Sequence, residues 1–403
     1  MNKIKYLMLA FMAACFTASF LSCGSDDEKI VEKIVNKTDT VTVKDTVKVA
    51  DTNWSRYQEI VNTTVNKQKA QSRNEKVILL VAFGSTWQQA FDTFDRVKAE
   101  YEAAYNNQGY DVYMSFSSAI CITQAAAGEN VSNPDQPAEV RNYYDPEHWL
   151  TAFGLANYKE IVVQSLQVIP GEEYRRVRDS YVKDFMNNKN GDLSEDYLHS
   201  IDGKVAVGRP LMGDDADVEE LAKVLYAESD VKTALENNGV VAFMGHGNPE
   251  GYDYYGANIR YTELETALQE LNPHFFVGTV DMENNFVDDV LKRMTDNNLS
   301  GNNVQLYPLM SIAGDHAHND MADAEDEESW YSVLNAAGFK AQAYETNYPK
   351  SEACYTKYEA GDEYIPALAE RSAVRKLWMQ HTQDAIDAIK NGEGMSTPVT
   401  AVE

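Results

Sequence analysis

The chain has 403 residues, 44% of them hydrophobic and 24 of them tyrosine, enough for two ordinary domains with a large core. Its formal net charge of −28 argues against a nucleic-acid partner, because phosphate binding needs a basic face and none is visible. The same excess of acid gives no help in recruiting an anionic substrate, so any such substrate must be held by local groups.

In chain order, residues 1–22 carry Lys3 and Lys5, an apolar run from Tyr6 to Leu21, and then Ser22-Cys23-Gly24. A basic start, a short apolar core and small residues at the exit are the layout of a secretory signal, and the core is short for a spanning helix. Cys23, directly after Phe20-Leu21-Ser22, resembles the lipidated cysteine of the bacterial lipoprotein signal; the alternative is a plain cleaved signal. The acidic Ser25-Asp26-Asp27-Glu28 resembles the surface-export tag of Bacteroidetes lipoproteins. An exported protein is expected, lipid-anchored in the outer membrane on its periplasmic or surface face. Residues 23–72, rich in Thr, Val, Lys and Asp, read as a tether.

Globular structure is expected from residue 73. Strands are predicted over Val77–Phe83, Asp111–Phe116, Ile161–Ile169 and Lys204–Leu211, with helices after the first (Trp87–Tyr105) and the fourth (Asp215–Ala227). The pattern then starts again. Val240–Gly245, Phe275–Val280, Val304–Ile312 and Lys340–Tyr344 match the first four strands, and Gly171 aligns with Gly314, pairing Glu172 with Asp315. The expected fold is α/β: two similar lobes over 73–236 and 237–392, each a parallel sheet flanked by helices, with a cleft between them and a tail over 393–403. A last helix is predicted from about Pro366 to Lys390.

In open α/β sheets ligands bind at the carboxyl ends of the strands. His246, held between Gly245 and Gly247 at the end of a buried run, is the leading candidate. Ser85, Thr86, Gln167, Glu172, Glu173, Asp281, Glu283, Asp315, His316 and His318 fall at the other strand ends. Imidazole with carboxylate is a ligand set for divalent first-row metals and can also move protons. Each residue has a plainer reading. His246 could cap a turn, His316 and His318 could bond within their loop, and Glu172 and Glu173 could be the first-turn acids of a helix. Tyr252, Tyr254 and Tyr255 either wall a flat ligand or simply pack, packing being the stronger expectation. Of the cysteines, Cys15 and Cys23 lie in or beside the signal; no pair has zinc-site spacing, and a Cys121–Cys354 disulfide is left open.

Val163-Gln164-Ser165-Leu166-Gln167-Val168-Ile169-Pro170-Gly171-Glu172-Glu173-Tyr174, Phe243-Met244-Gly245-His246-Gly247 and Pro308–Met321 resemble the motifs of the anaerobic sirohydrochlorin cobaltochelatases, over roughly Glu75 to Ile389. The resemblance implies a two-lobed chelatase that inserts Co2+ (or Fe2+) into a tetrapyrrole lying in the cleft. It implies His246 as metal ligand, Glu172 beside it in catalysis, and Asp214 as an acidic ligand. Ser85, Thr86, Tyr254, Asp281 and His316 are expected to face the tetrapyrrole. The family's second metal-binding histidine falls where this chain has Gln167, whose amide cannot accept a proton at neutral pH and is a poor ligand for Co2+. That departure, with the lipoprotein signal, raises an alternative: a surface lipoprotein that captures haem, or removes its iron, for an outer-membrane transporter.

Overall fold

The computed structural model describes residues 74–130, 138–249 and 251–396, together with Glu59, Asn62 and Thr63. The expected signal and Cys23 lie outside the described residues, as does nearly all of the expected tether and the end of the tail.

Among the described residues eight strands alternate with helices. β1 (Lys76–Ala82), β2 (Tyr110–Phe116), β3 (Glu160–Ser165) and β4 (Val205–Gly208) form one sheet in the order β2-β1-β3-β4. β5 (Val240–Gly245), β6 (Phe275–Thr279), β7 (Asn303–Leu309) and β8 (Lys340–Gln342) form a second in the order β6-β5-β7-β8. Every pairing is parallel. The sequence explains this, because β1 and β5 are near-continuous apolar runs, buried on both faces as helix-covered parallel sheets require. The strand order repeats between the lobes, and β3 and β7 begin at the same distance before Gly171 and Gly314. The internal repeat read from the sequence is therefore a repeat of structure.

The lobes exchange helices. Among the covering helices are α1 (Gln88–Tyr105), α2 (Ala119–Ala127), α3 (Asp215–Ala227), α4 (Ile259–Leu271) and α5 (Ser372–Lys390). α3 follows β4 in sequence but packs against α4 of the second lobe, whereas α5 ends the chain's second half but lies on β3 and β4 of the first. A split at 236/237 thus follows the strands and not these helices. One hydrophobic cluster accordingly runs through both lobes, joining Leu80 and Phe91 to Phe243, Phe275, Tyr307 and Trp378. Polar pins hold α5 in place: Tyr101 meets Thr382 at 3.0 Å, and Arg375 grips Glu100 at 2.7 and 2.8 Å. Cys121 and Cys354 are free thiols. Among the described residues no helix is long and apolar enough to cross a membrane.

Candidate functional site

The carboxyl ends of the two sheets face each other. After β3 and β7, the Ser311 hydroxyl donates to the Leu166 carbonyl. Gly171 lies against the Asn248 side chain, and Gly314 against Ser85. Trp87 stacks flat on His318, ring centres 3.7 Å apart. The loops after β1 and β3 therefore meet the loops after β5 and β7, where the sequence predicts the site.

His246 leaves β5 through two glycines that nothing else could replace. At Gly245 an added Cβ would sit 2.3 Å from the Tyr261 ring of α4. Gly247 has φ +77°, and its Cβ would come within 2.8 Å of the Met282 backbone nitrogen. The start of α4 then fixes the turn. The Tyr261 hydroxyl accepts the Gly247 N–H at 3.2 Å, and Asn258 both accepts from the Asn248 N–H and donates to its carbonyl, each at 2.8 Å. From the other side, the Val280 and Asp281 N–H groups donate to the His246 carbonyl at 3.1 and 2.9 Å.

The imidazole so placed has a neighbour. His246 and His316 meet edge to face with ring centres 4.8 Å apart. His246 Nδ1 lies 2.7 Å from the Gly247 carbonyl and 3.6 Å from Asp281, and His316 Nδ1 lies 2.6 Å from the Asp320 carboxylate. The two rings are driven apart in basicity. Partial burial at the strand end, and then the neighbouring His316, lower the His246 pKa against the pull of Asp281. Burial also works against charge on His316, but the hydrogen bond and charge of Asp320, helped by Asp315 and Asp281, outweigh it and raise its pKa. His318 is different in kind. Packed on Trp87, with Nε2 buried and unpartnered, it is pushed down to about 4 by burial and stays neutral.

The other expected residues are distributed as follows. Ser85 and Thr86 are buried at the end of β1, where the Ser85 Oγ accepts the Trp87 N–H at 3.2 Å. The Gln167 side chain turns back, its Oε1 accepting from Ser165 Oγ, and its Nε2 is buried without a partner. Glu172 and Glu173 open a helix after Gly171 that runs from Glu172–Arg175 into a π-helical stretch, Arg176–Val182. Burial raises the Glu173 pKa, against Arg176 and a hydrogen bond from Ser117 at 3.1 Å. A second π-helical stretch, Ala317–Met321, begins just after His316. Such insertions re-aim side chains and recur at functional sites.

Asp214 is the N-cap of α3, its carboxylate accepting the Asp217 N–H at 3.0 Å in a reciprocal capping box. One expectation is corrected. The tyrosines after His246 do not pack inside: Tyr252, Tyr254 and Tyr255 are 40, 58 and 48% exposed, and Tyr255 lies under the Arg175 guanidinium at 4.7 Å. Tyr254 helps line a shallow groove of about 510 Å3 beside Asn248, Asp253 and Met282.

The sequence reading missed α2, and it had Asp320 only as a loop neighbour of His316 and His318. α2 is almost wholly apolar yet buries only Ala125; its Ile120 is exposed, as is Phe83, whose carbonyl accepts the Ser118 N–H at the start of the helix. Cys121, at its start, is close enough to Asp315 and Glu173 to feel their charge. An apolar run between strands that presents its greasy side outward was the available signal, as was the i, i+4 spacing of His316 and Asp320.

Facing strand ends that carry two imidazoles, several carboxylates and an apolar rim mark the candidate site of a two-lobed α/β protein. Over residues 76–387 the chain matches the family model described as cobalt chelatase (CbiK), and it belongs to that family. It is 28% identical to the sirohydrochlorin cobaltochelatase CbiKC of Nitratidesulfovibrio vulgaris, over 78% of this chain and 92% of that protein. It is 25% identical to the sirohydrochlorin cobaltochelatase of Salmonella typhimurium, over 78% of this chain and 97% of that protein. Among solved structures, SirB from Bacillus subtilis with Fe3+ aligns at a TM-score of 0.48 and 12% identity, covering 80% of this chain and 99% of SirB. Neither curated relative is named for haem, and the haem-capture expectation gains nothing from them.

Proposed function

We propose that this chain is a metal chelatase that inserts Co2+ into sirohydrochlorin. The observation that carries the reading is the His246–His316 pair at the meeting point of the two sheets, each ring with its Nδ1 held by an acceptor. A histidine tied down in that way presents Nε2, the usual metal-binding nitrogen, in a fixed direction. A dication entering the macrocycle displaces two pyrrole protons, so the site needs proton acceptors close to the metal. His316, backed by Asp320, and Glu173, made more basic by burial, are suited to that work. Glu172, the other expected acid, stands beside Glu173 and is close enough to Tyr255 to act on its hydroxyl electrostatically. Phe83 and Ile120 offer an apolar face, and Arg175 and Arg176 provide local positive charge that the net charge of −28 withholds.

The test is an optical assay of the globular part with sirohydrochlorin and either Co2+ or Fe2+. Metallated product should form with Co2+ well above the rate without protein, and more slowly with Fe2+. No acceleration with either metal would sink the reading.

We further propose that the chain is exported and lipidated at Cys23, with residues 23–72 as tether. The basic, apolar and small-residue order of residues 1–24 supports this. Cells fed a clickable fatty acid should label the wild-type chain and not Cys23→Ala, and an unlabelled wild type would refute the anchor.

A further inference from the structure

The protein leaves the Arg175 side chain without work of its own. Its guanidinium donates no hydrogen bond among the described residues, and its Nε is buried without a partner. Asp179 comes only to 3.6 Å from Nη1 and keeps a buried, unpartnered Oδ1. Other arginines of the fold are committed to carboxylates: Arg371 to Asp230 at 2.9 and 2.8 Å, Arg375 to Glu100 at 2.7 and 2.8 Å, and Arg209 to Asp217 at 3.1 Å. A cationic side chain only 26% exposed, with its donors unfilled, is a cost to the fold that an anionic ligand would offset.

We infer that Arg175, laid over Tyr255, is a specificity-determining clamp for a carboxylate on the rim of the macrocycle. The inference rests on the chelatase reading of the site and names what that site selects: a tetrapyrrole with acid side chains, in preference to one with an alkyl rim.

The two halves of the clamp come from different lobes. Arg175 closes the first turn of the helix that starts after Gly171, and Tyr255 lies in the turn after β5, nine residues beyond His246. Gly171 packs against the Asn248 side chain, so the two segments meet beside the strand ends. Asp253 fixes the turn by accepting the Ala257 and Asn258 N–H groups at 2.8 and 3.1 Å. The guanidinium carbon stands 4.7 Å from the centre of the Tyr255 ring. A guanidinium laid on a ring uses its face, and its in-plane N–H groups stay free in the fork that matches two carboxylate oxygens. Glu172 and Asp179 are the acids close enough to act on Tyr255, and neither is hydrogen-bonded to the guanidinium. Against a net charge of −28, a local cation with free donors decides which anionic rim is admitted.

The experiment titrates the purified protein, with a chelator present to remove metal, and reads binding by absorbance and fluorescence. The probes are sirohydrochlorin, uroporphyrin with acid arms all round its rim, and mesoporphyrin with mostly alkyl groups there. The wild type should bind the first two more tightly than mesoporphyrin. Arg175→Gln should weaken both acid-rimmed macrocycles roughly tenfold, the worth of one charged hydrogen-bonded pair, and barely move mesoporphyrin. Arg175→Lys keeps the charge but loses the fork and should recover only part of that loss. Added salt should narrow the gap between wild type and Arg175→Gln. Melting curves check that both variants are folded. An equal loss for all three macrocycles would make Arg175 a support of its loop, and no loss for the acid-rimmed pair would leave it without a ligand. Full recovery in Arg175→Lys would reduce the fork to plain charge. Each of these results would overturn the inference. Wild-type binding with no metallation once Co2+ is restored would instead sink the chelatase reading and leave the clamp standing, and no binding of any macrocycle would sink both.

Discussion

His246→Ala should lower the rate of Co2+ insertion at least about 100-fold while leaving the protein folded. Partners one shell removed from a metal are typically worth about 10–100-fold, so loss of a ligand itself should reach or exceed the top of that range. The stability effect should be small, because 44% of the His246 side chain is open to the cleft and substitutions at such places usually stay within about 0.5 kcal/mol. The loss should fall on kcat more than on the KM for sirohydrochlorin, since the proposal gives the hold on the macrocycle to the apolar rim and the arginines. Steady-state kinetics with a melting curve checks both halves. A loss below threefold with an unchanged melting curve would remove His246 from the metal site, and the cleft would then need another metal-binding group.

His246 was legible in the sequence because its signal is local. A buried run, a glycine, a histidine and a glycine can only be a strand that stops abruptly with its last side chain at the strand end. The strands and their repetition were legible for the same reason, since parallel strands buried on both faces are continuous apolar runs. What could not be read depends on partners distant in sequence. Asp214 is a helix cap because the Asp217 N–H reaches its carboxylate, a contact that a row of letters does not show. The 4.8 Å contact of His246 with His316 follows from β5 and β7 being adjacent, which strand order alone reveals. The tyrosines after His246 suggested packing because aromatic clusters usually pack, but the turn held by Asn248, Asp253 and Asn258 carries them outward. The exchange of α3 and α5 between the lobes left no local trace, because an amphipathic helix does not record which sheet its apolar face will meet.

That exchange makes Arg371 the residue whose loss should most damage stability. Arg371 stands immediately before α5 and is 1% exposed. It donates to both oxygens of Asp230 at 2.9 and 2.8 Å and to Glu228 at 3.2 Å, and its guanidinium lies 4.9 Å from the centre of the Tyr307 ring. Three pieces of chain are thereby tied at one point: the segment after α3, strand β7 and the lead into α5. Arg371→Met keeps much of the stem's packing but strands Asp230, itself 6% exposed, without its counter-charge. Breaking one side of a buried pair typically costs about 3–5 kcal/mol, which for a domain of this size lowers Tm on the order of 5–10 °C. Replacing the pair together, as Arg371→Met with Asp230→Leu, should recover much of that loss, because the stranded charge is then gone. The pH dependence has a definite sign. Burial opposes charge on Asp230, but Arg371 prevails and depresses its pKa, so its stabilisation is complete above the ordinary carboxylate pKa and is lost as pH falls through the depressed folded value. With Arg371 gone only burial acts on Asp230, so the variant's carboxyl takes up its proton first, and the Tm gap should narrow progressively as pH falls from neutral and close only in strong acid. Melting within 1 °C of wild type at neutral pH would mean that the α5 exchange is held by the apolar face of Trp378 and Ile386 alone, with the ion pair idle.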